Sequence, residues 1–407
     1  MRISKIKKIQ GREILDSRGN WTVEVELTTK DGVFRASVPS GASKGKYEAV
    51  ALEAKKAVRN INKIIAPKLK GKDVARQKEI DEFLIKLDGT KNKSKLGANA
   101  ILGVSMACCR VGAAVKNLPL WQYIRQLAGD CPSLNLPRPA FNVINGGVHA
   151  GNELDFQEFM IVPQEKIFSK NLQTAVEIYH QLKEIIKEKY IDLGINVGDE
   201  GGFAPPIRTA EEALELILSA AQKLGHQKKI KIILDVAASQ FFEKGKYKTK
   251  IEVFNSEELL DYYLSLIRKY PIIALEDPFF EEDWPGWRQI TSRLKAQSSK
   301  ILIIGDDLTV TNPERIRLAC QKKLCNAVII KPNQIGTVSE TITAAYLAKS
   351  YGWKVMVSHR SGETNDDFIS DLSVGIGADF IKAGAPARGE RVVKYNRLLR
   401  IEEELKK

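Results

Sequence analysis

Charged or polar side chains end six successive apolar segments in the second half of the chain. The closing residues are Asp235, Glu276, Asp306, Lys331, Ser358-His359-Arg360 and Lys382. A single polar residue at a strand end is an ordinary turn residue. Because the carboxyl ends of the strands in a β/α barrel all lie on one face, six in succession predict one cavity lined by carboxylates, lysines and an arginine.

Three of these strand ends, Asp235, Glu276 and Asp306, are carboxylates. Carboxylates that face one another repel unless a cation lies between them. Ligand sets made only of oxygen suit magnesium or manganese better than zinc. The pattern therefore predicts a divalent metal site at this end of the barrel.

The two lysines, Lys331 and Lys382, indicate the type of reaction. Positive charge nearby favours the neutral form of a lysine, and a neutral lysine can act as a base. A substrate carboxylate bound to the metal could lose the proton on the adjacent carbon, because the metal would stabilise the negative charge that develops. We therefore expect proton abstraction beside a carboxylate.

Earlier segments offer further polar groups, although each alone is typical of a turn. Gly198–Gly202 holds Glu200 between glycines, and Asn145–Ala150 holds His149, with Gln157 and Glu158 shortly after it. A third segment, Ser40–Lys46, is not a Walker A loop, because three residues rather than four separate its glycines and Tyr47 follows the lysine. We interpret it as a mobile lid.

The elements that must position these groups alternate between short apolar strands and capped helices. Thr209 and Glu212 form the sequence of a capping box, and Gly225 closes that helix. Continuous apolar strands between helices predict a parallel sheet buried on both faces, with enough units to close a barrel. A doubly wound sheet is the alternative, but no G-x-G-x-x-G motif follows any strand.

The first part of the chain predicts a smaller α+β domain. A strand over Trp21–Thr28, a turn and a second strand over Val33–Val38 form a hairpin. Helices are predicted at residues 48–64, 77–86 and 98–116, and the proline-rich run 131–139 marks a boundary. The predicted organisation is thus an N-terminal α+β domain over residues 1–130 and a β/α barrel over residues 131–407.

The composition agrees with an enzyme of two domains that acts on an anionic small molecule. The chain has 407 residues, 43% of them hydrophobic, and a formal net charge of +13. Its lysines are scattered and no nucleic-acid-binding signature is present, so nucleic acid is an unlikely partner. The apolar stretch Ile101–Cys109 is too short to span a bilayer, the first residues lack a secretory signal, and five cysteines form no recognisable framework. We expect reduced thiols and a cytoplasmic location.

The chain resembles the enolase family almost from end to end. The matching runs are Gly11–Asn20, Pro39–Ser43, Leu87–Thr90, Asn92–Ile101, Asn145–His149, Gln157–Met160, Gly198–Gly202, Glu276–Pro278, Gly305–Leu308, Lys331 with Asn333–Gly336, Ser358–Thr364, Lys394–Asn396 and Leu398–Leu405. The resemblance implies an N-terminal α+β domain followed by a TIM-like β/α barrel of the enolase type, with slightly irregular strand order. Known enolase-superfamily sites already combine a base with magnesium.

The resemblance also implies a reaction and a role for each residue. The reaction is the magnesium-dependent, reversible dehydration of 2-phosphoglycerate to phosphoenolpyruvate in glycolysis and gluconeogenesis, carried out by a homodimer. Lys331 would be the base and Glu200 the acid. Two magnesium ions are implied, and the residues assigned to them are Asp235, Glu276 and Asp306 for the first and Ser43 for the second. The implied substrate-binding residues are His149, Gln157, Glu158, Ser358, His359, Arg360, Ser361 and Lys382.

Several positions depart from the usual pattern of the family. Lys44 replaces a threonine in the lid, Trp21 replaces a proline, and about ten residues of a surface loop are missing after Ala49. None of these changes removes a residue with an implied role. Two rival interpretations stay open: another enzyme of the same superfamily, and a binding protein without catalytic activity built on the same scaffold.

Overall fold

The computed structural model describes residues 3–42, 45–129, 134–190, 192–296 and 300–406. The first part contains a three-stranded antiparallel sheet with strands β1 Lys8–Leu15, β2 Trp21–Thr29 and β3 Gly32–Val38. Its helices are α1 Ala54–Asn60, α2 Ala66–Leu69, α3 Gln77–Asp88, α4 Ala98–Val115 and α5 Leu120–Leu127, with a π-helical turn at Ile61–Ile65 between α1 and α2. The predicted hairpin is confirmed by the pairing of β2 with β3.

Helix α4 is the core helix of this first part. Gly103 lets it approach the sheet closely, since a Cβ there would lie 2.7 Å from a methyl group of Val25. By length and composition alone α4 could cross a membrane, but 83% of that window is buried inside the protein. The apolar segment is therefore longer than the nine residues expected from the sequence. Its burial inside the protein explains its apolar composition.

The second part contains the remaining strands. They are β4 Arg138–Asn145, β5 Glu158–Pro163, β6 Ile230–Asp235, β7 Phe242–Glu243, β8 Lys246–Lys248, β9 Val253–Phe254, β10 Ile272–Glu276, β11 Leu302–Gly305, β12 Ala327–Ile330, β13 Lys354–Ser358 and β14 Phe380–Lys382. Strands β7 to β9 form a small separate sheet, and the other eight close a barrel in the order β10-β11-β12-β13-β14-β4-β5-β6. The predicted architecture, an α+β domain followed by a β/α barrel, is confirmed.

The barrel is not wholly parallel, which corrects the prediction of a parallel sheet. Strand β5 pairs antiparallel with both β4 and β6, whereas the other barrel pairs are parallel. The sequence pattern did not predict strands β4 and β5, because the proline-rich run 131–139 indicates a boundary and the segment around His149 is typical of a turn. Reversing β5 brings its first residue, Glu158, to the same barrel end as Asp235, the last residue of β6.

Burial on both faces of the barrel strands is confirmed. One apolar cluster fills the barrel interior and includes Met160, Ile233, Ile304 and Ile329. The neighbouring strand residues, such as Leu234, belong to the larger cluster under the helices. Successive side chains of a strand point to opposite faces, so both faces need apolar residues and the strands are continuously hydrophobic.

Helices surround the barrel and connect its strands. They are α6 Phe168–Tyr190, α7 Ala210–Lys223, α8 Ser256–Lys269, α9 Trp284–Ala296, α10 Pro313–Lys322, α11 Pro332–Ile335, α12 Val338–Ser350, α13 Phe368–Gly375 and α14 Gly389–Glu404; short 3-10 turns lie at Gly147–His149, Asp192–Ile195, Gln227–Lys229 and Ala238–Phe241. The predicted capping box is present at the start of α7, where Thr209 and Glu212 exchange hydrogen bonds. Asn312 caps α10, with Pro313 at its first position.

Other local predictions were wrong or lie outside the described residues. Strand β1 was missed, and the helix predicted from residue 48 begins only at Ala54. Residues 48–53 are irregular because their backbone groups form hydrogen bonds with other segments. For example, Ala49 N donates to Gln334 O at 2.8 Å. The predicted domain boundary falls within residues 130–133, outside the described part. The four described cysteines are free thiols, as expected, and Cys131 lies outside that part.

Candidate active site

The carboxyl ends of the barrel strands surround one polar cavity. Most of the predicted site residues line it, namely His149, Gln157, Glu158, Glu200, Asp235, Asp306, Lys331, Ser358, His359, Arg360, Ser361 and Lys382. Glu276 lies behind this surface, fully buried, and contacts Lys382. Ser43 lies outside the described residues. The structure thus brings together the strand-end groups that the sequence placed on one face.

Lys382 lies at the centre of the acidic groups. Its ammonium is 2.8 Å from Glu276, 3.1 Å from Asp235 and 3.2 Å from Glu158. The register explains the cluster, because Asp235 is directly opposite Glu276 on one side and Glu158 on the other. One ammonium therefore faces three carboxylates on three adjacent strands.

This cluster carries more negative charge than its own residues compensate. Glu276 Oε2 and Glu158 Oε2 are buried and accept no hydrogen bond from any described residue. Burial, together with the charge of neighbouring carboxylates, raises the pKa of both groups well above the ordinary value. Buried oxygen ligands with unused lone pairs fit a divalent cation such as magnesium.

The predicted ligands Asp235, Glu276 and Asp306 end or follow the adjacent strands β6, β10 and β11. These three do not form a group whose ligand atoms all lie within 4.8 Å of one another, whereas two different groups in the described part do. They are Asp277 with Asp306 and Asp307, and His149 with Glu158 and Glu200. Lys382 donates to both Asp235 and Glu276, so a cation that bound these two carboxylates would compete with its ammonium.

Lys331 follows β12 and is bonded to Asp306. Its Nζ donates to Asp306 Oδ2, and Gln334 Nε2 donates to Asp306 Oδ1 at 2.9 Å. Burial is the largest single effect and acts to lower the pKa of Lys331, but the neighbouring carboxylates, Asp306 first and then Glu276, raise it above the ordinary value. The neutral form of Lys331 is expected beside a divalent cation, and that expectation stays a prediction. A divalent cation that took over Asp306 would remove the contact that keeps this lysine protonated.

Glu200 lies between two imidazoles. His149 Nδ1 and His359 Nε2 are each 3.4 Å from one of its oxygens, and Asn142 Nδ2 donates to Oε2 at 3.0 Å. Burial acts to raise the pKa of Glu200, whereas protonated His359 and His149 would bring it well below the ordinary range. Burial lowers the pKa of both imidazoles, that of His359 to about 3. Both rings are then neutral near pH 7.

Arg391, on α14, fixes the orientation of the His359 ring. Its guanidinium is 2.7 Å from His359 Nδ1 and also donates to the carbonyl oxygens of Arg360 and Ser361. Arginine only donates hydrogen bonds, so Nδ1 must accept and the proton of the neutral ring is on Nε2. That N–H faces Glu200.

The low pKa of His359 predicts how stability depends on pH. The ordinary pKa of histidine is about 6.5, so between that value and about 3 the unfolded chain binds a proton that the folded protein excludes. The free energy of unfolding should therefore fall as pH drops through this window, by at most about 1.4 kcal/mol per pH unit from this residue. Above pH 6.5 the contribution is fully present.

Thermal unfolding of His359→Gln between pH 6.5 and 4.5 tests this expectation. The variant should show a shallower fall of melting temperature with pH than the unchanged protein. His180→Gln, which removes an exposed histidine on α6, serves as the control and should keep the original slope. Equal slopes for all three proteins would contradict the assignment.

Arg360 and Ser361 lie where the first domain contacts the barrel. Ser361 Oγ accepts a hydrogen bond from Ala42 N at 2.6 Å, and Ser40 pairs with Gly362 through backbone bonds of 2.8 Å in both directions. Arg360 is paired with Glu48. The segment interpreted as a lid is therefore attached to the cavity at Ala42. Ser358, at the end of β13, lines the same cavity, and its hydroxyl donates to His359 O at 2.8 Å.

Sequence reasoning missed several residues of this cavity. Asp277 and Asp307 stood inside the matching runs but were given no role. Asn142 and Arg391 lie in β4 and α14, and no local pattern marked them. Glu48 was placed in a helix. The positions of Asn142, Arg391 and Glu48 in the site depend on which elements pack together. Asp277 and Asp307 could have been identified from the sequence, because they are polar residues that follow strand ends.

Comparison with known families agrees with this geometry. A family model described as the enolase N-terminal domain matches residues 6–124. A second, described as the enolase C-terminal TIM barrel domain, matches residues 133–407. The two matches cover both structural parts described above, together with the cavity at the end of the barrel. The chain therefore belongs to the enolase family.

Proposed function

We propose that this protein is an enolase that interconverts 2-phosphoglycerate and phosphoenolpyruvate in glycolysis and gluconeogenesis. Family membership supports an enzyme of the lyase type. The observation that carries the specific proposal is that one cavity joins Lys331 and Glu200 with the anion-binding groups of Arg360 and Ser361. A base, an acid and a phosphate-binding pair are the protein groups that this dehydration requires.

The protein's own residues would act as follows. Lys331 Nζ takes the proton from carbon 2, next to the substrate carboxylate, and Glu200 gives a proton to the departing hydroxyl on carbon 3. Arg360 and Ser361 hold the phosphate, and the Lys382 ammonium lies beside the substrate carboxylate. Positioned acid and base groups each contribute about 10²- to 10⁴-fold to the rate.

Two magnesium ions complete the proposal. Asp235, Glu276 and Asp306 would hold the first, and Ser43 would join the second. Such ions would neutralise the substrate carboxylate and stabilise the negative charge that grows on it during proton loss. The unsatisfied oxygens of Glu276 and Glu158 support a cation here, while the identity and number of ions belong to the proposal.

The rival interpretations are less well supported. Other enzymes of the superfamily usually carry Lys-x-Lys at an early strand end or a late His-Asp pair, and the sequence has neither at the corresponding positions. A binding protein without activity would not need Glu200, Lys331 and Lys382 buried in one cavity, where uncompensated charge costs stability.

A direct assay tests the proposed reaction. With magnesium and 2-phosphoglycerate, the ultraviolet absorbance of phosphoenolpyruvate should rise, and an excess of chelator should stop it. Glycerate without the phosphate should give no product under the same conditions. A folded, magnesium-supplied protein that leaves 2-phosphoglycerate unchanged would contradict the proposal.

We further propose a cytoplasmic location and a homodimer, on the strength of the family resemblance. Analytical ultracentrifugation of the purified protein measures the oligomeric state directly. A single species with the mass of one 45.4 kDa chain would contradict it.

A further inference from the structure

Glu48 binds the guanidinium of Arg360 in a bidentate ion pair. Arg360 Nη1 is 3.1 Å from Glu48 Oε2, and Nη2 is 3.2 Å from Oε1. Both side chains are buried, with 6% of Arg360 and 10% of Glu48 exposed. Nearly parallel contacts of this kind are the strongest geometry that arginine makes with a carboxylate.

This pair occupies the atoms that the proposed function assigns to the substrate. A guanidinium binds a phosphate through the same terminal nitrogens with which it binds a carboxylate. In this structure a carboxylate of the protein itself makes those contacts. Glu48 also adds a negative charge to a cavity wall that already carries Asp306 and Asp307.

The backbone around Glu48 keeps its carboxylate at this position. Glu48 Oε1 accepts from Gly45 N at 3.1 Å, and the next residue, Ala49, donates to Gln334 O at 2.8 Å. Gln334 lies on α11, three residues after Lys331. Glu48 is therefore anchored to the barrel through its neighbour.

We propose that Glu48 is an internal competitor for Arg360 and thereby sets the specificity of the anion subsite. A phosphate ester carries a charge of about −1.5 to −2 at pH 7 and three acceptor oxygens, whereas Glu48 offers one negative charge. A phosphate group can displace Glu48, and a group with a single negative charge gains little by exchange. Selectivity thus comes partly from a built-in contact that the wrong ligand cannot replace. The inference rests on the proposed function.

A purely positioning role for Glu48 predicts the opposite change in anion binding when Glu48 is removed. If Glu48 served only to position Arg360, its removal would leave the guanidinium misplaced and weaken binding of every anion. If it competes, its removal takes away the carboxylate that phosphate must displace from Arg360 and strengthens binding. The direction of the change in phosphate affinity therefore decides between them.

Calorimetric titration with inorganic phosphate provides the measurement. Glu48→Gln keeps the size of the side chain and removes its charge, and it should bind phosphate about tenfold more tightly than the unchanged protein. Its KM for 2-phosphoglycerate should fall, with a smaller change in kcat. Glu48→Asp keeps the charge and should show no such gain. Glu53→Gln, an exposed glutamate in the same segment, controls for the general loss of negative charge.

Two further observations make the result decisive. Arg360→Gln should abolish the phosphate binding, which shows that the titration reports this subsite. Unchanged or weaker phosphate binding by Glu48→Gln would overturn the inference while leaving the proposed reaction intact. Absence of 2-phosphoglycerate turnover in the unchanged protein would instead refute the proposed function, whatever the phosphate titrations show.

Discussion

Replacing Lys331 by alanine is expected to abolish turnover of 2-phosphoglycerate. The variant lacks the proposed base, so kcat should fall by about 10⁴-fold, the upper end of the range for a positioned acid or base. Binding of substrate should change less, since the phosphate-binding residues stay in place. Exchange of the carbon 2 proton with heavy water measures the step itself, and it should disappear together with turnover.

The controls for this variant separate chemistry from folding. Lys331→Ala leaves the buried Asp306 without its lysine, which should lower stability by a few kcal/mol; thermal unfolding shows whether the protein is folded at the assay temperature. Lys331→Arg restores a cation beside Asp306 but cannot become neutral, so it should be stable and equally inactive. Lys93→Ala removes another buried lysine, paired with Glu340, and should retain activity.

An active Lys331→Arg protein would contradict the assignment. Arginine keeps its proton at any pH used for the assay, so turnover would show that another group takes the substrate proton. Continued proton exchange in Lys331→Ala would lead to the same conclusion.

Replacing Glu276 by glutamine is expected to remove most of the stabilisation by magnesium. Glu276 is fully buried, and its Oε2 has no partner in the described part of the chain. A cation that binds only the folded protein stabilises it, by about 2.7 kcal/mol at one hundred times its dissociation constant. The unchanged protein should therefore melt at a higher temperature as magnesium is added. The melting temperature of Glu276→Gln should change little when magnesium is added. The turnover of this variant should be lower than that of the unchanged protein.

A matched substitution at the opposite end of the barrel completes this test. Asp379 lies before β14, pairs with Lys354 at the first residue of β13, and is far from the cavity in the strand register. Asp379→Asn should retain the full magnesium-dependent rise in melting temperature, and chelator should reverse the rise. An undiminished magnesium effect in Glu276→Gln would show that the ion binds elsewhere, for example at Asp277, Asp306 and Asp307.

Most of the barrel could be predicted from the sequence because its signals are local. Six barrel strands end at the predicted polar residue or at the residue just before it, namely β6, β10, β11, β12, β13 and β14. A strand buried on both faces must be continuously apolar, and the polar residue that follows it marks where the sheet ends. That is why the sequence alone marks Asp235, Glu276 and Lys382 as site residues.

Strand direction was decided only by the tertiary structure. Strand β5 is as apolar as the parallel strands of the barrel, and hydrophobic pattern alone does not tell a parallel strand from an antiparallel one. The reversal of β5 depends on its hydrogen bonding to β4 and β6. It matters to the site, because it brings Glu158 beside Asp235.

The sequence likewise did not predict the charge states of the site residues or the full set of residues that surround the cavity. The amino-acid types by themselves determined that acids, lysines and an arginine end neighbouring strands. Only the packing of the first domain on the barrel decided that Glu48 would hold Arg360, across 312 residues of chain, and that Asp306 would keep Lys331 protonated. Such contacts leave no local pattern, because their free energy comes from burial and from partners that are distant in the sequence.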